Sequence, residues 1–260
     1  MSWPVVELRR YTLHLDKRDT LIELFDRELV ETQEACGMDV IAQFRDIDHP
    51  NMFTWLRGFA DMGSRAAALT AFYDGPAWAA HRDAANATMI DSDNVRLLHP
   101  RSPAAGFEPA GIARPERNAT RLPSGLTVVT IYTLAPHATA SFADFFDRII
   151  APDMAASGAR PCATFETEES ANTFPRLPVR EDEHAFVWFA QFDDVTAYDR
   201  HIATLAASHE WNGRKRRLLE RQLCAPGERW RLVPTARSLP LVYSARQYSP
   251  DQGPLPKGDR

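Results

Sequence analysis

The residues best equipped for chemistry sit on short stretches of alternating pattern. Along Pro4 to Leu13, Glu7, Arg9 and Tyr11 share one face and Val6 and Leu8 share the other. Two further stretches, Asp39 to Asp46 and Met52 to Phe59, alternate in the same way. If Val40, Ala42 and Phe44 meet a helical layer, Gln43 and Arg45 point the opposite way, as do Trp55 and Arg57 opposite Thr54, Leu56 and Gly58. One face then gathers a carboxylate, a phenol, an amide, an indole and three guanidiniums. Glu7 and Tyr11 could move a proton, and Arg57 could hold the developing enolate. Arg9, Gln43, Arg45 and Trp55 would bind and orient the molecule. A competing account keeps the cluster structural, with Arg45 and Arg57 pairing with Glu7 across neighbouring strands.

These stretches belong to a unit that occurs twice. Tyr11-Thr12-Leu13 recurs as Tyr132-Thr133-Leu134, and the same offset carries Phe25 to Phe146 and Gly37 to Gly158. Further on the offset is larger: Phe53, Trp55, Phe59 and Asp61 recur as Phe186, Trp188, Phe192 and Asp194, and Trp78 as Trp211. The difference is an insertion in the second copy, between Phe165 and Phe186, where Pro175 and Pro178 mark a loop. Each copy reads β-α-β-β-α-β, the ferredoxin-like order. In the first, Asp16 is placed to cap a helix that reaches Cys36 and stops at Gly37. The expected fold is α+β: tandem ferredoxin-like units whose uncovered sheet faces close on each other into a barrel. The first unit spans 1–100, a proline-rich linker 101–124, the second unit 125–235 and a tail 236–260 that is disordered at its end. The Glu7 face is expected to line the barrel interior as a ligand cavity.

The second copy carries different residues at the matching positions. It has Thr130 for Arg9, Glu166 for Arg45 and Ala190 for Arg57, so all three arginines are lost. One working site and one structural half is the arrangement this implies.

Composition excludes several function classes. The net charge is −5, with no basic, aromatic-rich stretch to bind nucleic acid. No apolar run is long enough to span a membrane, and no signal peptide is expected, so a cytoplasmic setting fits. Cys36, Cys162 and Cys224 show no metal-finger spacing, and Cys162 reads as a small buried hydrophobe. No Gly-rich phosphate loop or nucleophile elbow is present. Neither metal nor cofactor is expected. Two units in one chain could close the barrel alone as a monomer, but sheet edges invite partners, so the expectation leans to a homodimer.

Several segments resemble NIPSNAP proteins of the dimeric α+β-barrel superfamily. They are Glu7 to Leu13, Phe53 to Phe59, the helix with Arg65, Phe72 to Trp78, and Asp91 to Pro100. The likeness covers the first copy well and the second more loosely. It implies a dimeric-α+β-barrel-type fold. The superfamily includes cofactor-free monooxygenases, small isomerases and haem enzymes, for which His81 would be the axial-ligand candidate here. It does not choose between a small-molecule enzyme and a non-enzymatic binding or assembly module.

Overall fold

The computed structural model describes residues Trp3–Tyr243. The tail's predicted disorder concerns the stretch from 244 onwards, outside the described residues.

The first unit contributes β1 (Val5–Leu13), β2 (Asp39–Asp46), β3 (Met52–Phe59) and β5 (Val95–Pro100). The second contributes β7 (Leu126–Leu134), β8 (Pro161–Thr167), β9 (His184–Phe192) and β10 (Glu228–Pro234). These strands close into an eight-stranded antiparallel barrel in the order β1-β3-β2-β10-β7-β9-β8-β5 and back to β1. The closing strand of each unit reaches across to the other, β5 pairing with β8 and β10 with β2. The barrel therefore closes within one chain. A short strand, β4 (Met89–Asp91), pairs with the end of β1 and finishes the sheet.

The repeat extends to the backbone. Among the described residues, Asp16 and His137, one repeat apart, are the two non-glycine residues with positive φ, at 59° and 63°. Gly37 and Gly158 end the corresponding helices at φ 93° and 107°, a left-handed stop that a side chain would strain. Asp61 caps α3 (Met62–Tyr73) by accepting from the Ser64 amide, and Asp194 caps α7 (Val195–Ala207) by accepting from Ala197. The expected cap at Asp16 is corrected: it turns the chain just before Lys17, which precedes α1 (Arg18–Leu24) without a side-chain cap bond. In both copies this first helix widens into a π-helical turn, Phe25–Leu29 and Phe146–Ile150, before resuming as α2 (Val30–Glu34) and α6 (Ala151–Ala156).

Among the described residues the barrel interior, where the ligand cavity was expected, is packed with apolar side chains. Val6, Leu8, Ala42, Phe44 and Leu56 of the first unit meet Val129, Ile131, Val187 and Phe189 of the second in one apolar core. An eight-stranded barrel is just wide enough for side chains to fill it. The face assignment is thus inverted. Leu8, Ala42, Phe44 and Leu56 point inward, while Tyr11, Phe53 and Trp55 pack outward beneath the first unit's helices. Both faces of β1, β2 and β3 are buried along most of their length, so alternation separated the two residue sets without saying which was inside. A bulge between Val40 and Ala42 adds to the ambiguity, since it leaves Val40 under the helices and Ala42 in the barrel.

The linker and the start of the tail have structural roles. Linker strand β6 (Phe107–Glu108) pairs with β11 (Val242–Tyr243), and Phe107 and Leu241 both enter the barrel core. Arg237 is buried and bonds the Pro115 carbonyl, the Asp26 carbonyl and Glu31.

Candidate functional site

Five of the seven sequence-chosen residues stand together, in the layer between the first unit's sheet and its helices. Pairing of β1 with β3 sets Glu7 opposite Arg57 and Arg9 opposite Trp55. Glu7 is wholly buried, and its two carboxylate oxygens receive three guanidiniums. Arg9 Nη1 and Arg57 Nε donate to Oε2, each at 2.7 Å, and Arg65 Nε donates to Oε1 at 2.6 Å. Arg9 Nε donates to the Tyr11 hydroxyl at 2.9 Å, and Arg57 Nη1 to Gln33 Oε1 at 3.2 Å. The Trp55 ring lies between Arg9 and Arg57, at 5.6 and 5.2 Å from their guanidinium carbons.

Arg65 and Gln33 were missing from the sequence-derived site. The signal was present: α3 buries Arg65, Ala68, Leu69 and Phe72, so Arg65 falls on the apolar stripe of its helix. A charged residue on such a stripe needs a buried partner, and Glu7 is that partner.

The other two chosen residues lie elsewhere. Arg45 pairs with Asp19 at the N-terminal end of α1. Gln43 is fully buried on the same side of the sheet, but its amide makes no bond to the arginine cluster. Its backbone N–H donates to Ser238 Oγ at 3.0 Å. His81, the haem-ligand candidate, sits 3.5 Å from Glu28 on the surface of α4 (Pro76–Asn86). Among the described residues, no group of three His, Cys, Asp or Glu side chains is arranged to hold a metal ion.

The electrostatics of the cluster are lopsided. Three guanidiniums share one carboxylate, an excess of two positive charges in a layer closed to water. Burial alone would raise the Glu7 pKa, but Arg57, Arg9 and Arg65 outweigh it and hold the carboxyl well below the usual range. Burial raises the Tyr11 phenol above its ordinary value despite Arg9, so it stays protonated at neutral pH. Three buried donors have no partner: Arg57 Nη2, Arg65 Nη2 and Trp55 Nε1. All three call for an acceptor. A cavity of about 30 Å³ lies alongside, lined by Tyr11, Gln33, Trp55, Tyr73, Trp78 and Phe25 among others. It has room for roughly one water molecule.

The second copy keeps the position and loses the chemistry. Val128, Thr130, Met154, Ala190 and Tyr198 replace Glu7, Arg9, Gln33, Arg57 and Arg65, and the layer is packed by Phe142, Phe146, Phe186 and Trp188. The second copy contributes to the first site in another way. Its insertion crosses over, and Asn172 Oδ1 and Thr173 Oγ1 accept from Arg65 Nη1 at 3.0 and 3.3 Å.

Asp26, on the π-helical turn, gives a pH signature. Burial pushes its carboxyl up to about 6, against the pull of Arg237. The folded pKa lies above the unfolded one, so ionisation opposes folding and stability falls as pH rises from about 4 to about 6. We expect Asp26→Asn, which cannot ionise, to gain on the native chain by on the order of 2 kcal/mol between pH 4 and pH 7. Urea melts of both proteins at the two pH values measure it. An equal gap at both would refute the assignment.

Residues 6–104 match the family model described as NIPSNAP. No curated protein matches the chain. Among solved structures, a Fusobacterium nucleatum protein proposed to be a monooxygenase is 12% identical, with TM-score 0.55, over 92% of this chain and 97% of that one. An anthrone oxidase-like protein is 11% identical, with TM-score 0.56, over 90% and 92%. A NIPSNAP-like domain protein from Burkholderia xenovorans is 22% identical over 49% of this chain and 97% of its own, at TM-score 0.37. At these identities the first two likenesses are of fold, an α+β barrel built over nearly the whole chain. The chain is thus a tandem α+β barrel in which residues 6–104 of the first unit match the NIPSNAP family model.

Proposed function

We propose that the first unit binds a small organic anion, or a molecule that enolises to one, in the layer between its sheet and its helices. The site then serves cofactor-independent oxygenation or isomerisation. The observation that carries this reading is the charge count: three buried guanidiniums against a single carboxylate. Uncompensated buried charge costs several kcal/mol, and a group present only for packing would not need it. The second copy fills the same layer with apolar side chains. Glu7 is committed to three arginines, so its part is to hold them in place. Arg9, Arg57 and Arg65 would stabilise a developing enolate, and the protonated Tyr11 would supply a proton to it. The resemblance in fold to proteins proposed to be monooxygenases, and to an anthrone oxidase-like one, agrees with that class of chemistry.

The other reading is a non-enzymatic assembly module. The filled barrel favours it, as do two exposed hydrophobics, Ile90 on the sheet-ending strand β4 and Leu15 just after β1. A homodimer formed along β4 would belong to that reading.

Arg57→Leu separates the two. In a ligand site the substitution lowers the charge excess, so stability should hold within about 1 kcal/mol or rise. Retention of a co-purified small molecule, followed by native mass spectrometry, should fall. A clear drop in melting temperature with no bound molecule in the native chain would support the assembly reading.

A further inference from the structure

The cavity beside Arg9 and Tyr11 is too small for an organic molecule, so any such ligand requires part of its wall to move. Three elements at or behind that wall are candidates. The π-helical turn carries Phe25 and Leu29, both buried in the first unit's core, and α3 carries Arg65, which is bound to Glu7. The insertion from the second copy lies behind the wall, on Tyr73 and Arg65, with Phe174 in the first unit's core and Leu177 packed against it. It is pinned at two points on β5, where the Glu168 and Arg180 amides donate to the Leu97 and Val95 carbonyls, both at 2.9 Å. Between the pins it touches the first unit through a few side chains.

Those contacts have a definite chemical form. Asn172 Oδ1 and Thr173 Oγ1 present two oxygens to one guanidinium nitrogen of Arg65. The remaining Arg65 nitrogen, Nη2, is buried without a partner. Two residues along, the buried Phe174 ring stacks on Tyr73 at 5.8 Å and 29°, and Tyr73 lines the cavity. Arg176 closes the outer edge with an ion pair to Asp74 at 2.6 Å. The insertion thus lays an oxygen pair and an aromatic ring against the site, in the order in which an aryl acid presents its own.

We propose that residues 169–179 form a lid, and that Asn172, Thr173 and Phe174 hold the places taken by an aromatic carboxylate when it binds. The carboxylate goes to Arg65 and the ring to Tyr73. The inference rests on the anion-site reading above and adds to it the ligand's class and the element that admits it. The exchange is favourable in sign. A carboxylate adds a full negative charge opposite the guanidinium, which the neutral amide and hydroxyl oxygens lack, and it can engage the unpartnered Nη2 as well. It also offsets the positive excess around Glu7. The charge was lost only in the unit that receives no such lid: the first unit's matching connection is the short turn Asp48-His49-Pro50-Asn51.

The test is calorimetric titration of the full chain with phenylacetate, with acetate (charge only) and benzyl alcohol (ring only) as controls. Phenylacetate should bind at least about tenfold more tightly than either control, since each lacks one of the two contacts. In the Asn172→Ala/Thr173→Ala variant its affinity should rise by about tenfold, because a smaller fraction of molecules is held closed. Phe174→Ala, which vacates the place of the ring, is the second variant and should act in the same direction. Amide exchange across 169–179 should speed up when phenylacetate binds the native chain. Phenylacetate affinity that is unchanged or lower in both variants overturns the lid. If binding to the native chain is then lost in Arg57→Leu, the anion site itself stands. If phenylacetate binds none of these proteins while native mass spectrometry still finds a different co-purified anion, the aromatic-carboxylate lid falls alone. If there is no binding and no co-purified molecule, both readings fall.

Discussion

Glu7→Gln should lower stability by about 3–5 kcal/mol, the usual cost of removing one partner from a buried ion pair. The upper end is expected, because this one substitution leaves three buried guanidiniums with no carboxylate. Gln is nearly isosteric with Glu, so the loss reports charge and not packing. In a chain of this size it corresponds to a fall in melting temperature of about 10 °C or more. The pH dependence gives an independent check. The folded pKa of Glu7 lies below its unfolded value, so its stabilisation is complete above about pH 4.5 and fades as pH falls towards the folded value. The gap between native chain and variant should therefore shrink below about pH 4.5. Melts that differ by less than a few degrees at neutral pH would mean that something other than Glu7 balances the arginines. Together with Arg57→Leu, the variant makes a sharp contrast: deleting the carboxylate is severe, and deleting one of its three partners is mild.

Phe189→Ala should cost a similar amount, about 3–5 kcal/mol, for a different reason. Phe189 points into the barrel, is wholly buried, and packs against Phe107 at 4.9 Å and Phe165 at 5.7 Å between ring centroids. Truncation leaves a cavity that strands tied into a closed barrel cannot collapse to fill. Ligand binding at the first unit's site should be unaffected at temperatures where the variant is folded, because the barrel core and the Glu7 layer lie on opposite faces of the sheet. Chemical denaturation with the native chain as reference measures the first effect, and phenylacetate titration measures the second. A variant with native stability, or one that loses binding while folded, would return the ligand cavity to the barrel interior. Cys162, in that same core, has its thiol pushed up to about 12 by burial, which suits a packing residue and not a nucleophile.

The repeat, the order of strands and helices, and the membership of one polar face were all legible in the sequence. They rest on local physics. Alternation puts Glu7, Arg9 and Tyr11 on one side of a strand however that strand is used. Gly37 and Gly158 stop their helices because a left-handed residue must follow. The loss of Arg9 and Arg57 from the second copy, and with it the asymmetry between the halves, needed only the register of the repeat.

Tertiary structure decided which side of the sheet that face meets. Both sides are buried, one by barrel closure and the other by helices, and a strand buried twice carries no label for inside. The sum of side-chain volumes inside eight closed strands settled it, and that sum belongs to the whole barrel. Arg45 left the cluster for a related reason: it shares the face but lies far enough along β2 to reach Asp19 instead. Arg65 joined because α3 packs across the sheet at Glu7, a crossing that no local pattern encodes. The insertion in the second copy was visible as a proline-marked loop, but its contact with the first copy was not. Asn172 and Arg65 are separated by more than a hundred residues, and only the closing of β5 against β8 brings them within a hydrogen bond.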